Sequence, residues 1–221
     1  MPTNNQLRAL LVIVVVLWVA VLLFQGQTNL SLAMLRPFSY VLTGLTFVLL
    51  AWDRWAWHWP VFKKWLNKRP DIRGTWKGTL QSDWEDKTIG KTVPPIDVFL
   101  VVRQTYSATN VRLFSEESTS VSLSANIVTD SDELSILAVT YHNTPNILCR
   151  EHSPIHDGGM LAKLIGNPLN KLSVEYWTDR KTKGSGDFTR RSSALPHDFE
   201  EASKIKFKTN ARNQMTKISE L

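Results

Sequence analysis

Cysteine is almost absent from the 221 residues: Cys149 stands alone, so no disulfide can form within the chain. That suits a reducing cytoplasm. No nucleophile-elbow, phosphate-loop or zinc-hydrolase pattern occurs either. Asp83, Glu85 and Asp86 around Trp84 read as an acidic turn rather than a catalytic carboxylate pair. The sequence therefore points away from an enzyme. Beyond Ile72 no helical stretch is long enough for a βαβ crossover, which removes a parallel sheet. The length leaves room for a short anchor and one domain, with nothing to suggest a second large globular unit.

The overall hydrophobic content of 43% hides a split between an N-terminal part dense in Leu, Val and Trp and a polar remainder. Leu10 to Phe24 is an unbroken apolar run, extended by Leu7 and Ala9 towards the roughly 20 residues that cross a bilayer, with Arg8 able to snorkel. A second run goes from Pro37 to Trp52 and is closed by Asp53 and Arg54. A cleaved signal peptide competes for the first run, but no small-x-small site follows Phe24. A buried helix of a soluble core competes for the second, which is slightly short. The polar link from Gln25 to Asn29 favours a hairpin of two transmembrane helices. Trp52, Trp55, Trp57 and Trp59 are expected at the headgroup level. Neither run has an ionisable residue near its centre, and Thr43, Gly44 and Thr46 offer a small-residue packing face.

The net charge of +6 is concentrated at Lys63, Lys64, Lys68 and Arg69 and again from Lys204 to Lys217. The first cluster lies where a membrane helix ends, which favours an anionic membrane surface over nucleic acid. The helix link holds only Arg36, so the basic bias places the following domain, and with it both termini, in the cytoplasm.

From Ile72 the hydrophobic period becomes alternating. Strands are expected over Arg73–Leu80, Ile96–Thr105, around Val111 and Leu113, over Ser118–Val128, Glu133–Tyr141, Met160–Ile165, Leu172–Thr178 and Asp187–Arg191. In the fourth, Ser118, Ser120, Ser122, Ser124 and Asn126 form a wet face against a packed face of Thr119, Val121, Leu123, Ala125 and Ile127. Gly158-Gly159 is expected to precede the strand at Met160, and Lys183-Gly184-Ser185-Gly186 reads as a tight connection. The expected fold is membrane-anchored all-β: two N-terminal transmembrane helices, then an eight-stranded up-and-down antiparallel β-barrel, with a β-sandwich as the competing architecture. The expected domains are an anchor over 1–60, a basic linker over 61–70, a ligand-binding barrel over 71–196, and a short helix (Asp198 to Lys208) and basic tail within 197–221.

Two spans, a short basic linker, the strand Gly74-Thr75-Trp76-Lys77-Gly78 and the segment Tyr176-Trp177-Thr178-Asp179-Arg180-Lys181-Thr182-Lys183-Gly184 together resemble the two-transmembrane, β-strand-rich effectors of cyclic-oligonucleotide-based antiphage signalling (CBASS). The resemblance runs to about Pro196 and rests on the order of elements more than on any one motif. It implies a lipocalin-like cytoplasmic barrel that binds a cyclic dinucleotide made by a partner nucleotidyltransferase. It further implies self-association on binding and damage to the bacterial inner membrane that ends in cell death or growth arrest. The competing function is a membrane-anchored barrel that binds or carries a lipid or other small apolar ligand. No direct contact with a nucleic-acid polymer is expected.

A cyclic dinucleotide presents two phosphates and two flat bases, so its pocket needs cations, hydroxyls and aromatic surface. Continuing the inward phase of Leu172 and Val174 brings Tyr176, Thr178 and Arg180 to one rim. Tyr141 shares a face with Leu137 and Val139, where it can stack on a base or simply fill the core. Arg103 and Tyr106 end a strand that faces a possible mouth, although a strand-end arginine needs no function. Cys149, His152, His156 and Asp157 have ligand-like spacing for zinc, but Pro154 between the histidines and the shortage of cysteines speak against it. No metal or cofactor is expected.

Overall fold

The computed structural model describes residues 4–26, 38–63, 69–86, 91–130, 132 and 134–207. Most of the helix link including Arg36, the basic residues Lys64 and Lys68, and the tail beyond Phe207 lie outside them. Two compact units divide the chain: Met1–Arg69 with Thr105–Ser107, and Pro70–Gln104 with Ala108–Leu221.

The first unit contains α1 (Asn4–Phe24), α2 (Phe38–Arg54), a 3-10 turn (Ala56–His58) and the short α3 (Pro60–Lys63). α2 begins at Phe38 and ends at Arg54, a basic residue in its last turn. The hydroxyls of Thr43 and Thr46 donate to the carbonyls of Ser39 and Leu42 at 2.8 and 2.9 Å, so both polar groups are satisfied within the helix. Leu17 of α1 lies over Gly44, 3.5 Å from where a Cβ would stand, so this small-residue face is occupied by the same chain's first helix. Most other apolar side chains of α1 and α2 are exposed, Leu23 and Phe47 among them. Among the described residues, no helix is long and apolar enough to cross a membrane. α2 has 17 residues, and the described side chains of α1 begin only at Arg8. The tryptophan cluster does not form one belt. Trp57 is fully buried, Trp52 packs edge-on against Phe62, and Trp55 and Trp59 are exposed.

The second unit is a closed barrel of eight antiparallel strands: β1 (Gly74–Ser82), β4 (Ile96–Gln104), β5 (Thr109–Phe114), β6 (Ser118–Thr129), β7 (Ser135–Pro145), β8 (His156–Ile165), β9 (Lys171–Thr178) and β10 (Lys183–Ser192). Each strand from β4 onward pairs with its sequence neighbour, and β1 closes the ring between β4 and β10. A small two-stranded arm, β2 (Glu85–Asp86) with β3 (Lys91–Thr92), stands outside the ring, where the sequence suggested only an acidic turn.

One end of the barrel is filled. Ile72, Trp76, Val98, Leu100, Leu137, Leu172 and Phe188 are essentially inaccessible there. The Trp76 indole N–H donates to Ile72 O, and the Gln104 side chain accepts from Ile72 N and donates to Pro70 O, each at 3.0 Å. Asp71 ties this plug to the wall by accepting from Arg73 Nη2 at 2.8 Å and Arg191 Nη2 at 3.3 Å, while the Arg191 guanidinium lies 5.1 Å from the Trp76 ring centre.

β4 reads as a continuous apolar run because both its faces are covered. Val98, Leu100 and Val102 point inward, and Phe99 and Val101 are buried outside under the C-terminal segment. That segment includes α4 (Phe199–Ser203), whose start is capped by Asp198 Oδ1 accepting from Glu201 N at 2.7 Å. Ala202 is fully buried, and the rings of Phe199 and Phe207 pack on Phe99.

Two local expectations are corrected. The serine face of β6 is not its outer face: Ser120 is buried, whereas Val121 and Leu123 are 41% and 70% exposed. A β-bulge between Ser122 and Ser124 inserts one extra residue and flips the phase, so that only beyond it do Ala125 and Ile127 face the core. Gly158-Gly159 does not precede its strand and Gly184 to Gly186 is not a connection; they lie inside β8 and β10, for a reason that belongs to the site.

Candidate functional site

The other end of the barrel is hollow. A cavity of about 260 Å³ opens between the β5–β6 turn, the β7–β8 loop, the β9–β10 turn and the β2–β3 arm. Its depth is apolar, with Leu100, Val111 and Met160; its upper wall is polar, with Ser118, Ser120, Asn143, His156 and Thr178. The eight-strand geometry accounts for its size, since such a ring encloses space for packed side chains or one small ligand.

Tyr141 and Tyr176 supply the aromatic surface. Each lies opposite a glycine across the sheet, Tyr141 against Gly158 and Tyr176 against Gly184. A Cβ on Gly158 would stand 2.5 Å from the Tyr141 ring, and one on Gly184 would stand 2.6 Å from Tyr176 Cε1. The glycines therefore let both rings lie flat on the wall and keep the cavity open. Burial, reinforced by the neighbouring Tyr176, pushes the Tyr141 phenol up to about 12. At neutral pH it is an uncharged donor with an aromatic face.

Thr178 is buried, and its hydroxyl is 2.7 Å from that of Thr182. Arg180 follows on the exposed rim, its Nη1 only at the limit of hydrogen-bond distance (3.5 Å) from Ser153 Oγ. The guanidinium thus keeps donors for a phosphate arriving at the mouth. Asn143 donates through Nδ2 to Ser118 Oγ at 3.1 Å and Ser120 Oγ at 2.8 Å. Among the described residues its buried Oδ1 has no partner. His156 Nδ1 lies 3.0 Å from Pro154 O. A carbonyl only accepts, so Nδ1 carries the proton. Burial, chiefly, lowers the pKa of this ring and keeps it neutral.

The structure gathers four of the six expected ligand residues, Tyr141, Tyr176, Thr178 and Arg180, around this one cavity. Arg103 and Tyr106 are not part of it. Arg103 is on the outer face of β4, donating to Leu195 O at 3.2 Å, and Tyr106 lies in the helical unit with its ring 5.8 Å from Trp52 and its N–H bonded to Asp53 O. The strand was read correctly, but its open end is the other one, at Ile96. Sequence reasoning missed the inward serines, whose phase the bulge conceals, and Trp84, which lines the mouth from beside the arm. The arm is fixed by Asp83, whose N–H donates to Lys183 O and whose carboxylate accepts from Lys183 N at 2.8 Å.

A closed eight-stranded barrel, filled at one end and open at the other through a rim of aromatic, hydroxyl and guanidinium groups, defines a small-ligand-binding barrel. Residues 67–190 match the family described as Cap15, cyclic dinucleotide receptor domain, and the chain belongs to it. The chain is also 32% identical over 146 residues to CD-NTase-associated protein 15 of Staphylococcus schleiferi, spanning 66% of this chain and 74% of that protein. The protein is a CBASS effector of the Cap15 type, as its resemblance to that group implied.

Proposed function

We propose that the open cavity is where the barrel holds its cyclic dinucleotide, and that the protein acts by binding rather than by catalysis. The observation that carries this reading is the composition of the mouth: Arg180 on the rim beside Tyr141 and Tyr176, with hydroxyls between them. Arg180 meets a phosphate, and the flat tyrosines and Trp84 offer faces for the bases. An apolar carrier would need an apolar lining throughout, which the serines, Asn143 and His156 oppose. The cavity is slightly smaller than the roughly 300 Å³ at which ligand pockets begin, so a bound dinucleotide also rests on the rim and the arm.

Binding drives assembly of the effector and damage to the inner membrane, with both termini in the cytoplasm. The support is the anchor's composition. α1 has 21 residues, about 31 Å at 1.5 Å per residue, and its apolar run holds no charge after Arg8. The exposed apolar surface of α1 and α2 is far better solvated by lipid than by water.

The test of the site is calorimetry on the full chain in detergent with cyclic dinucleotides. Arg180→Ala removes a charge-assisted hydrogen bond of about 1.5–3 kcal/mol, an affinity loss of roughly tenfold or more. Unchanged affinity with an intact fold removes Arg180 from the site.

A further inference from the structure

The β7–β8 loop brings together three metal-ligating side chains of three kinds. The carboxylate of Glu117, the thiol of Cys149 and the imidazole of His152 place their ligand atoms within 4.8 Å of one another. The two other candidates raised by sequence spacing go elsewhere. His156 Nδ1 is engaged with Pro154 O, and Asp157 lies on the outer wall, 2.7 Å from His142 Nδ1. The ligand that spacing alone does not reveal is Glu117, which arrives from the β5–β6 turn.

The backbone prepares this grouping. Asn146 donates its N–H to Glu117 O at 2.7 Å and its Nδ2 to Glu116 O at 2.9 Å, locking the loop to the turn. A 3-10 turn, Ile147–Cys149, follows, with Cys149 N bonded to Asn146 O, and Ser153 N returns to Cys149 O at 2.8 Å. The turn itself is fixed by Ser118 N donating to Ser115 Oγ. Cys149 and His152 are therefore presented three residues apart on a closed loop, facing Glu117.

We infer that Glu117, Cys149 and His152 bind a divalent transition metal of the zinc class, with a fourth coordination position open towards the cavity mouth. The ligand set decides the class. Thiolate with imidazole suits zinc, whereas calcium and magnesium take oxygen ligands only. Bonds of roughly 2.0–2.3 Å at tetrahedral angles set ligand atoms about 3.5 Å apart. Glu117 and His152 are exposed, so their side-chain torsions are free to turn and close the remaining ångström. Three protein ligands leave one position for water or an anion. Glu117 and His152 both line the cavity mouth, so that position faces the space where an anionic ligand enters. Binding displaces the thiol proton to solvent, so affinity rises with pH.

The experiment is a titration of the untagged, metal-free full chain in detergent with Co²⁺, without any nucleotide, so that its outcome is independent of the dinucleotide reading. A thiolate-to-cobalt charge-transfer band should appear at one equivalent and vanish on adding Zn²⁺. With one cysteine in the chain, the band reports Cys149 alone. Cys149→Ser should abolish it, Glu117→Gln and His152→Ala should each weaken Co²⁺ binding at least tenfold, and His142→Ala should leave it unchanged. Circular dichroism checks that each variant is folded. Inorganic phosphate added to the Co²⁺-loaded protein should alter the visible spectrum by taking the open position. Absence of the band, or affinities indifferent to Glu117 and His152, overturns the site. A visible spectrum unmoved by phosphate overturns the open position.

Discussion

Asp71 holds the closed end of the barrel together, and its chemistry has a definite sign. Burial alone would raise its pKa, but hydrogen bonds from Arg73 and the charges of Arg73 and Arg191 outweigh burial and hold the carboxyl below its ordinary 3.8. Its contribution is intact above 3.8 and is lost as pH falls through the lowered value. Asp71→Asn weakens these bonds and should cost about 1–3 kcal/mol in urea unfolding at neutral pH. His156 works in a higher window. Its pKa is lowered from 6.5, so below pH 6.5 the unfolded chain takes up a proton that the folded chain resists, and stability drops as the pH drops. His156→Gln should flatten that slope, which unfolding midpoints measured across the window will show. The inward positions of Tyr141, Tyr176, Thr178 and Arg180 were legible because strand alternation alone fixes which residues share a face. Arg103 and Tyr106 were misplaced because alternation does not say which end of a strand is open.

All eight barrel strands were legible as elements, since turn residues and alternation are local signals. Two features were not, because each depends on a partner strand. A bulge in β6 leaves no mark in a run of alternating serines, yet it decides that Ser118 and Ser120 face the cavity. The run Lys183-Gly184-Ser185-Gly186 reads as a turn until Tyr176 across the sheet is known. Gly158→Ala would set a Cβ against the Tyr141 ring and the backbone oxygen of Trp177, and Gly184→Ala against the Tyr176 ring and the backbone oxygen of Gln81, so that ring and neighbouring strand both have to shift at the cavity wall. Each is expected to weaken cyclic-dinucleotide binding more than tenfold while strand content, read by circular dichroism, persists. Binding at the parental affinity would mean that the rings do not border the ligand.

At the scale of the molecule, the barrel has no free strand edge, so copies cannot join by extending one another's barrel sheets. The proposed assembly is therefore left to faces, loops, helices or the β2–β3 arm, and the small-residue face at Gly44 is already covered by Leu17 of the same chain. Ligand drives assembly only as far as it binds the assembled form more tightly than the free one. Sedimentation of the detergent-solubilised full chain should therefore shift to larger species on adding the cyclic dinucleotide, and cells carrying a version without Leu7 to Trp57 should survive the signal. Killing that persists in those cells, with a barrel that still binds, would take the membrane out of the mechanism. Orientation has its own check: a reporter that works only in the cytoplasm, fused after Leu221, should be active.

The closure of the ring sets a timetable. Thr75 of β1 pairs with Ser192 of β10, so the strand made first waits for the strand made last. At roughly 5–20 residues per second, synthesis of the intervening stretch takes about 6–24 s. During that interval α1 and α2 have already been made, while the edge of β1 that awaits β10 stands open. A nascent chain stalled before Lys183 should be cut readily by protease, and one stalled well beyond Phe207 should resist. Both helices of the proposed anchor are thus made before the receptor half exists, and the chain becomes able to sense a ligand only when its last strand is in place.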